Sequence, residues 1–113
     1  MSSVISVHEY ELRDDVTGEQ FERAVQVAEA RGLFDLPGLK AYHFVKGLRG
    51  ARKERYAAIW VYESKAAWEA LWGPEDNPVE KTAYLERWRI WENEVLAPLL
   101  SEKPDEIAYT SYQ

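Results

Sequence analysis

Residues 56–62, with the sequence YAAIWVY, constrain the fold of this chain more than any other segment. Tyr56, Trp60 and Tyr62 alternate with Ile59 and Val61, so a strand here has no polar face. A strand with one face in water carries polar residues at every second position. The segment therefore predicts a strand over residues 55–63 that is covered on both sides, by helices on one side and by another surface on the other.

Three further segments show strand-like alternation. The predicted strands cover residues 4–12, 39–46 and 106–112. A turn at residues 36–38, LPG, precedes the second strand. Each histidine of the chain falls in one of these strands, His8 in the first and His43 in the second.

The first helix has a clear start signal. Thr17 and Gln20 have the spacing of a capping box, in which the hydroxyl and the amide each bond to the other residue's backbone. The helix is predicted to run to about residue 31, where Gly32 ends it. Phe21, Val25 and Ala28 form its buried stripe, because they recur at helical spacing.

The second helical segment is predicted in two pieces, residues 65–72 and residues 79–96, separated by the breaker sequence GPEDNP. In the longer piece, Tyr84, Trp88, Trp91 and Val95 recur at helical spacing, which predicts a stripe facing the sheet. Pro98 marks the end of this helix.

The order of elements is β-α-β-β-α(-α)-β, the ferredoxin-like order of an α+β protein. We expect one domain over residues 1–113, with a four-stranded antiparallel sheet and helices on one face. The opposite sheet face is also apolar and needs a cover. A second copy of the chain, related by two-fold symmetry, is the simplest cover, so the sequence predicts a homodimer.

Charge and cysteine content exclude several classes of function. The chain of 113 residues has a net charge of −6, which disfavours nucleic-acid binding because phosphates are repelled. It contains no cysteine, so thiol nucleophiles and thiolate metal sites are excluded, and a cytoplasmic location is expected. We expect no signal peptide and no membrane segment, since the longest apolar run, residues 56–62, is too short to span a bilayer.

Three short segments carry a resemblance to a known superfamily. They are HEYEL at residues 8–12, LPGL at residues 36–39, and IWVYESKAAW at residues 59–68. With the element order, they resemble the dimeric α+β barrel superfamily, and especially its antibiotic-biosynthesis-monooxygenase-like members. The resemblance implies a dimeric α+β barrel that holds a ligand between sheet and helices, often without a cofactor.

The haem-degrading branch of this superfamily places a polar residue on the first strand and a histidine on the second helical segment. His8 is suited to the first position, but residues 64–100 contain no histidine. The resemblance therefore implies no haem-degrading activity, and we expect no cofactor. We also expect no metal, because His8 and His43 lack the short spacing of ligand motifs.

The candidate site consists of a base and aromatic walls. His8 is the candidate catalytic base, since an imidazole titrates near neutral pH. We expect its strand face and that of His43 to line one pocket. The candidate substrate-binding residues are Tyr10, His43, Trp60, Tyr62, Tyr84 and Trp88. The alternative is that the histidines are hydrogen-bonded and inert and that the aromatic residues fill the core.

A glycine-hinged loop at residues 47–54 carries Arg49, Arg52 and Lys53, with Arg55 next to it. It is suited to gripping an anion, but a solvated hairpin is the simpler interpretation. Two functions stay open. One is a cofactor-independent monooxygenase-like enzyme for a small aromatic or polyketide-like substrate, with a cavity of roughly 300–1,000 Å³. The other is a non-catalytic dimer that binds a small molecule or serves in stress, with haem binding as a weaker option.

Overall fold

The computed structural model describes residues 3–113 and has the ferredoxin-like α+β fold. Its strands form one antiparallel sheet in the order β2-β3-β1-β4, so β1 and β3 are the central strands. The strands are β1 (Val4–Tyr10), β2 (Leu39–Lys46), β3 (Tyr56–Tyr62) and β4 (Ala108–Tyr112). The fold predicted from the sequence is confirmed. Strands β1, β3 and β4 are shorter than predicted. Of the two residues predicted to extend β1, only Leu12 forms a bridge, an isolated one to Leu100.

Helix α1 (Gly18–Ala30) begins with the predicted capping box. The Gln20 backbone N–H donates to Thr17 Oγ1 at 3.2 Å, and the Thr17 N–H donates to Gln20 Oε1 at 2.7 Å. These bonds satisfy two backbone donors that a helix start otherwise leaves without partners. The buried residues of α1 are Phe21, Val25 and Ala28, as predicted, and they pack on the half of the sheet that contains β2 and β3.

The second helical segment differs from the prediction. Helix α2 (Lys65–Trp72) has the predicted bounds and is capped by Ser64, whose side chain accepts the Ala67 N–H at 3.1 Å. The predicted helix over residues 79–96, however, is divided. It consists of a short 3₁₀ helix (Lys81–Ala83), helix α3 (Glu86–Ile90) and a π-helical segment (Trp91–Leu96).

The π-helical segment corrects the predicted buried stripe. Helical spacing predicted Trp88, Trp91 and Val95 in the core, and the structure buries Trp88 and Trp91 but places Leu96 there instead of Val95. A π turn contains an extra residue, so every later side chain moves one position along the sequence. The Ala97 N–H accordingly donates to the Glu92 carbonyl oxygen, five residues back, at 3.0 Å.

Gly73 allows the chain to fold back after α2. Its φ of +86° lies in the left-handed region, and a Cβ atom there would stand 2.6 Å from the Asn77 carbonyl oxygen. The Val79 N–H donates to the Trp72 carbonyl oxygen at 3.0 Å, which closes the turn. This turn holds Pro74 over the layer between sheet and helices.

The two faces of the sheet differ in their cover. One face packs against α1, α3 and the π-helical segment, and its β3 residues are buried, including Trp60 at 0% exposure. On the other face lie Ile5, Val45, Ile59 and Val61, and no helix of residues 3–113 covers them. Ile5 is 39% exposed and Val45 42% exposed. An uncovered apolar face of this kind is typical of a surface that binds a partner.

Candidate functional site

A cavity of about 300 Å³ lies between the sheet and the second helical segment. Its size is at the lower end of the range for small-molecule sites, roughly 300–1,000 Å³. The strands β1, β3 and β4 supply its floor, and α2, the Gly73 turn and α3 supply its walls. Its floor and wall residues include Ser6, His8, Tyr62, Trp68, Trp72, Tyr84, Trp88, Glu92, Ile107, Tyr109 and Ser111.

His8 lies on the floor of this cavity, at the centre of an aromatic cluster. Its ring centroid is 6.0 Å from that of Trp60, 6.1 Å from that of Trp88 and 5.7 Å from that of Tyr109. Within residues 3–113, its ring nitrogens make no hydrogen bond. The imidazole is therefore free to bond to a ligand, which is the opposite of the inert, hydrogen-bonded histidine considered as the alternative.

Burial among aromatic rings controls the charge of His8. It lowers the pKa of the imidazole from 6.5 to about 4, because the charged form loses hydration that nothing replaces. At neutral pH the ring is uncharged, with one nitrogen donating and the other accepting. An imidazole with so low a pKa is a weak base near pH 7. His8 is therefore better suited to orienting a ligand than to removing a proton.

Aromatic rings form the walls of the cavity and support one another edge to face. The Trp72 ring lies 5.0 Å from Tyr84 and 5.3 Å from Trp88, with interplanar angles of 88° and 65°. The Trp72 Nε1–H also donates to Tyr62 Oη at 3.2 Å. Offset and edge-to-face contacts of this kind hold rings in fixed orientations. The wall is therefore a preorganised aromatic surface.

Glu92 is the carboxylate that reaches the interior of the cavity. It lies on the π-helical segment one turn after Trp88, and it is partly buried. Burial raises its pKa from 4.5 to about 7, and Asp105 adds to this, while the Trp88 indole and Lys81 oppose it. An acid whose pKa is close to the working pH is suited to both taking up and releasing a proton.

The other charged residues around the cavity are paired at its mouth. Lys81 and Asp105 form an ion pair between the two 3₁₀ helices, Lys81–Ala83 and Pro104–Glu106. Glu75 pairs with Lys65, and their side chains are 68% and 39% exposed. Exposed pairs of this kind contribute little stability. Among the described residues that line the cavity, Glu92 is therefore the carboxylate without an ion pair.

The structure brings together four of the seven residues predicted for the site. His8, Tyr62, Tyr84 and Trp88 line the cavity. Trp60 lies directly behind them, fully buried, with its ring 5.1 Å from that of Trp88.

Tyr10 and His43 do not lie at the cavity. Tyr10 is 1% exposed and packs against Phe21 in the core, 5.8 Å between ring centroids. His43 pairs with Ile59 in the register of β2 and β3, and its side chain is exposed on the opposite face of the sheet. The expectation that His8 and His43 share one pocket is wrong. Both faces of β2 are largely apolar, so alternation alone does not show which face meets the helices.

Sequence reasoning did not single out Glu92, although a signal for it exists. Tyr84, Trp88 and Glu92 are spaced four residues apart, so a carboxylate continues the aromatic stripe of the helix. A charged residue on the apolar side of a helix is unusual, because burying a charge without a partner is costly. The π-helical segment that begins beside it is a second indication, since such segments often occur at functional sites.

The basic loop between β2 and β3 is a solvated hairpin. Arg52 Nε lies 2.7 Å from Glu9 Oε1, and Arg55 pairs with Glu11. Arg52 and Arg55 are thus paired with carboxylates of the same chain. Among residues 3–113, no group of three or more His, Cys, Asp and Glu residues is arranged to hold a metal ion, and no helix is long and apolar enough to cross a membrane.

Comparisons with known proteins support the fold. No protein-family model matches the sequence, and no curated protein matches it. Solved structures do match. A DABB family protein with a ferredoxin-like fold from Mesorhizobium loti has a TM-score of 0.67 at 8% identity, covering 100% of this chain and 97% of its own. SnoaB, a cofactor-independent oxygenase from Streptomyces nogalater, has a TM-score of 0.60 at 14% identity, covering 100% and 93%.

A third similar structure is a dimeric ferredoxin-like protein of unknown function from Thermobifida fusca. Its TM-score is 0.62 at 16% identity, and the match covers 97% of this chain and 89% of its own. At such low identities the likeness establishes the fold alone. The resemblance to the dimeric α+β barrel superfamily is thereby confirmed as a resemblance of fold.

Proposed function

We propose that this chain is a homodimeric, cofactor-independent monooxygenase-like enzyme that binds a small, flat aromatic or polyketide-like substrate in the cavity. The observation that supports this most is the cavity itself, which has aromatic walls and reaches an imidazole without hydrogen bonds and a carboxyl without an ion pair. The similarity of fold to SnoaB, an oxygenase that needs no cofactor, is consistent with it. A cytoplasmic location remains a prediction.

The chemistry of such an enzyme resides in the substrate. An electron-rich aromatic molecule that loses a proton becomes a carbanion, and this carbanion passes electrons to dioxygen. The protein supplies a partly enclosed aromatic cavity, orientation and a proton acceptor. The edge-to-face wall of Trp72, Tyr84 and Trp88 suits stacking of a flat ring, and neutral His8 suits a hydrogen bond to its oxygen.

Anthrone is a suitable test substrate, because it is flat and carries acidic methylene protons between its rings. Oxidation by one dioxygen gives anthraquinone and one water, so oxygen uptake and quinone absorbance measure the same reaction. We expect saturable quenching of tryptophan fluorescence, since Trp68, Trp72 and Trp88 line the cavity, together with oxygen uptake above the uncatalysed rate. Hemin is tested in parallel, and a Soret shift at micromolar protein would support the haem-binding alternative.

A cavity-filling variant provides the control. Ser111 lies on the cavity floor, where its hydroxyl is 2.7 Å from that of Ser6, so Ser111→Phe is expected to abolish both quenching and oxygen uptake. Ser101→Phe introduces the same side chain at an exposed position outside the cavity and should change neither. Quenching without oxygen uptake would support the non-catalytic binding protein instead. No quenching by either anthrone or anthraquinone would refute the proposed site.

The dimer of this proposal uses the uncovered face of the sheet. Val61 lies on this face in a central strand, paired with Ile5. We expect Val61→Lys to convert a dimer into a folded monomer, because a buried ammonium without a partner is too costly for an interface core. Val27→Lys is the matched control, since Val27 is 52% exposed on α1, away from this face. Light scattering that gives a monomer for the unmodified chain would contradict the proposal.

A further inference from the structure

Glu92 differs from every other carboxylate near the cavity in its surroundings. Asp105 is bound by Lys81 and Glu75 by Lys65, both at the exposed mouth. Glu92 lies deeper, next to Trp88, and no ion pair within residues 3–113 includes it. An acid in such a place is either neutral or prepared to accept a proton, because an ionised form without a partner is poorly solvated.

The groups around Glu92 define what it can do. Lys81 is the cation that acts on it, and the Trp88 indole N–H is the nearby donor that favours its ionised form. Both of these effects on the pKa of Glu92 are weaker than the effect of burial. The titratable or charged groups that face it or line the same cavity are His8, Tyr10, Tyr62, Glu75, Lys81, Tyr84, Asp105 and Tyr109.

His8 and Glu92 are displaced from their ordinary pKa values in opposite directions by the same physical cause. Burial disfavours the charged form of each group, so it lowers the pKa of the imidazole to about 4 and raises that of the carboxyl to about 7. Two titratable groups separated in this way have different roles in a site. At neutral pH the imidazole is fully neutral, while about half of the carboxyl is ionised and able to accept a proton.

We propose that Glu92 is the catalytic base of this cavity, that it removes an acidic C–H proton from a flat cyclic ketone or its phenol tautomer, and that neutral His8 holds the oxygen of this substrate. The inference rests on the proposed function, and it replaces His8 as the base with a residue on the helical wall. The substrate class follows from the polar groups: a hydrogen-bonding oxygen for His8 and a removable proton for Glu92, on an otherwise apolar ring system.

Anthrone carries its removable protons on the methylene group between its rings. The Glu92 carboxylate takes one methylene proton, and the electron pair of the broken C–H bond stays on the substrate as its carbanion. The carbanion transfers electrons to dioxygen and a C–O bond forms, which gives a hydroperoxide anion. Glu92 returns the proton to this oxygen. Loss of water from the hydroperoxide then gives anthraquinone, so the substrate is oxidised, dioxygen is reduced and Glu92 ends ionised as it began.

The first step can be measured without dioxygen. In D₂O under nitrogen, a base that removes and returns the methylene proton exchanges it for deuterium, and proton NMR follows the loss of the signal. We expect the wild-type chain to accelerate this exchange and Glu92→Gln to reduce kcat for exchange by about 100-fold or more, the usual contribution of a positioned base. KM should change little, because glutamine has the same shape.

The pH profile and two variants separate a base from a structural residue. Because Glu92 must be ionised to accept a proton, exchange should fall as the pH drops through about 7, and this inflection should disappear in Glu92→Gln. Glu92→Asp should restore part of the rate. Glu94→Gln is the matched control, since Glu94 lies on the same π-helical segment but is exposed, and it should behave like the wild type.

The outcomes distinguish the two proposals. Exchange that depends on Glu92 but proceeds without oxygen uptake in air would support the base and refute the oxygenase function. Wild-type rates and an unchanged pH profile in Glu92→Gln would overturn the assignment of Glu92 while leaving the oxygenase function intact. A wild-type chain that binds anthrone yet catalyses no exchange would also overturn the assignment.

Discussion

The layer between sheet and helices is packed on one side and open on the other. Over β2 and β3, Phe34 contacts Trp60 and Trp91 edge to face at 5.4 and 4.7 Å, and the rings fill the space. Over β1 and β4, similar rings surround a cavity of about 300 Å³ instead. Both sides contain many aromatic rings, so aromatic content does not determine which side is open.

The helical cover accounts for the difference. The packed side lies mainly under α1, a continuous helix of 13 residues whose stripe of Phe21, Val25 and Ala28 meets the sheet at regular intervals. Trp91, the first residue of the π-helical segment, also packs there against Phe34. The open side lies under a chain broken at Gly73 and continued by short helices and a π-helical segment. A broken cover does not follow the pleated surface closely, and it brings backbone turns and a carboxylate over the sheet. The cavity therefore results from the course of the backbone rather than from the size of the side chains.

The largest expected effect on stability comes from truncating one tryptophan on each side of the layer. Trp60 is fully buried, so Trp60→Ala should lower the free energy of unfolding by about 3–5 kcal/mol, the usual cost for a large core side chain. Trp72 is partly buried at the cavity wall, so Trp72→Ala should cost only about 1–2 kcal/mol and should weaken ligand quenching, which Trp68 and Trp88 still report.

Urea unfolding monitored by far-UV circular dichroism measures both variants. The comparison fails if Trp72→Ala is as destabilising as Trp60→Ala, because the cavity wall would then be part of the closely packed core.

A smaller effect, in the pH dependence of stability, concerns the open side alone. Between pH 4.5 and about 7 the folded chain keeps a proton on Glu92 that the unfolded chain has lost, so this residue makes stability fall as pH rises. Between pH 4 and 6.5 the unfolded chain holds a proton on His8 that the folded chain does not, so His8 makes stability rise with pH. The two slopes oppose each other where the windows overlap.

Removing either group should expose the slope of the other. We expect Glu92→Gln to gain about 1–3 kcal/mol relative to the wild type above pH 7, at about 1.4 kcal/mol per pKa unit. We expect His8→Asn to lack the increase in stability that His8 contributes between pH 4 and 6.5. Urea midpoints measured across this range check both, with Glu94→Gln as the control. If the urea midpoints of both variants change with pH in parallel with those of the wild type, neither group is buried in solution to the extent that the structure shows.

Much of the sheet and its first helix was predictable because local signals agree with the tertiary structure. The capping box of Thr17 and Gln20, the stripe of α1 and the alternation in β3 each act within a few residues. His8, Tyr84 and Trp88 were found for the same reason, as residues on well-defined faces. His43 was misplaced because both faces of β2 are largely apolar and only the pairing with β3 decides which one meets the helices. Tyr10 shares the face of His8, but it lies against Phe21 of α1 in the packed part of the layer.

The sequence by itself determined the order of elements, the sheet with two apolar faces and the aromatic character of the interior, because hydrophobic periodicity and capping are local. Only the tertiary structure decided where the interior stays open, how the π-helical segment moves Leu96 into the core, and that Glu92 faces His8's cavity. The pKa values of Glu92 and His8 depend on burial by residues far apart in the chain, and no local pattern specifies burial of that kind.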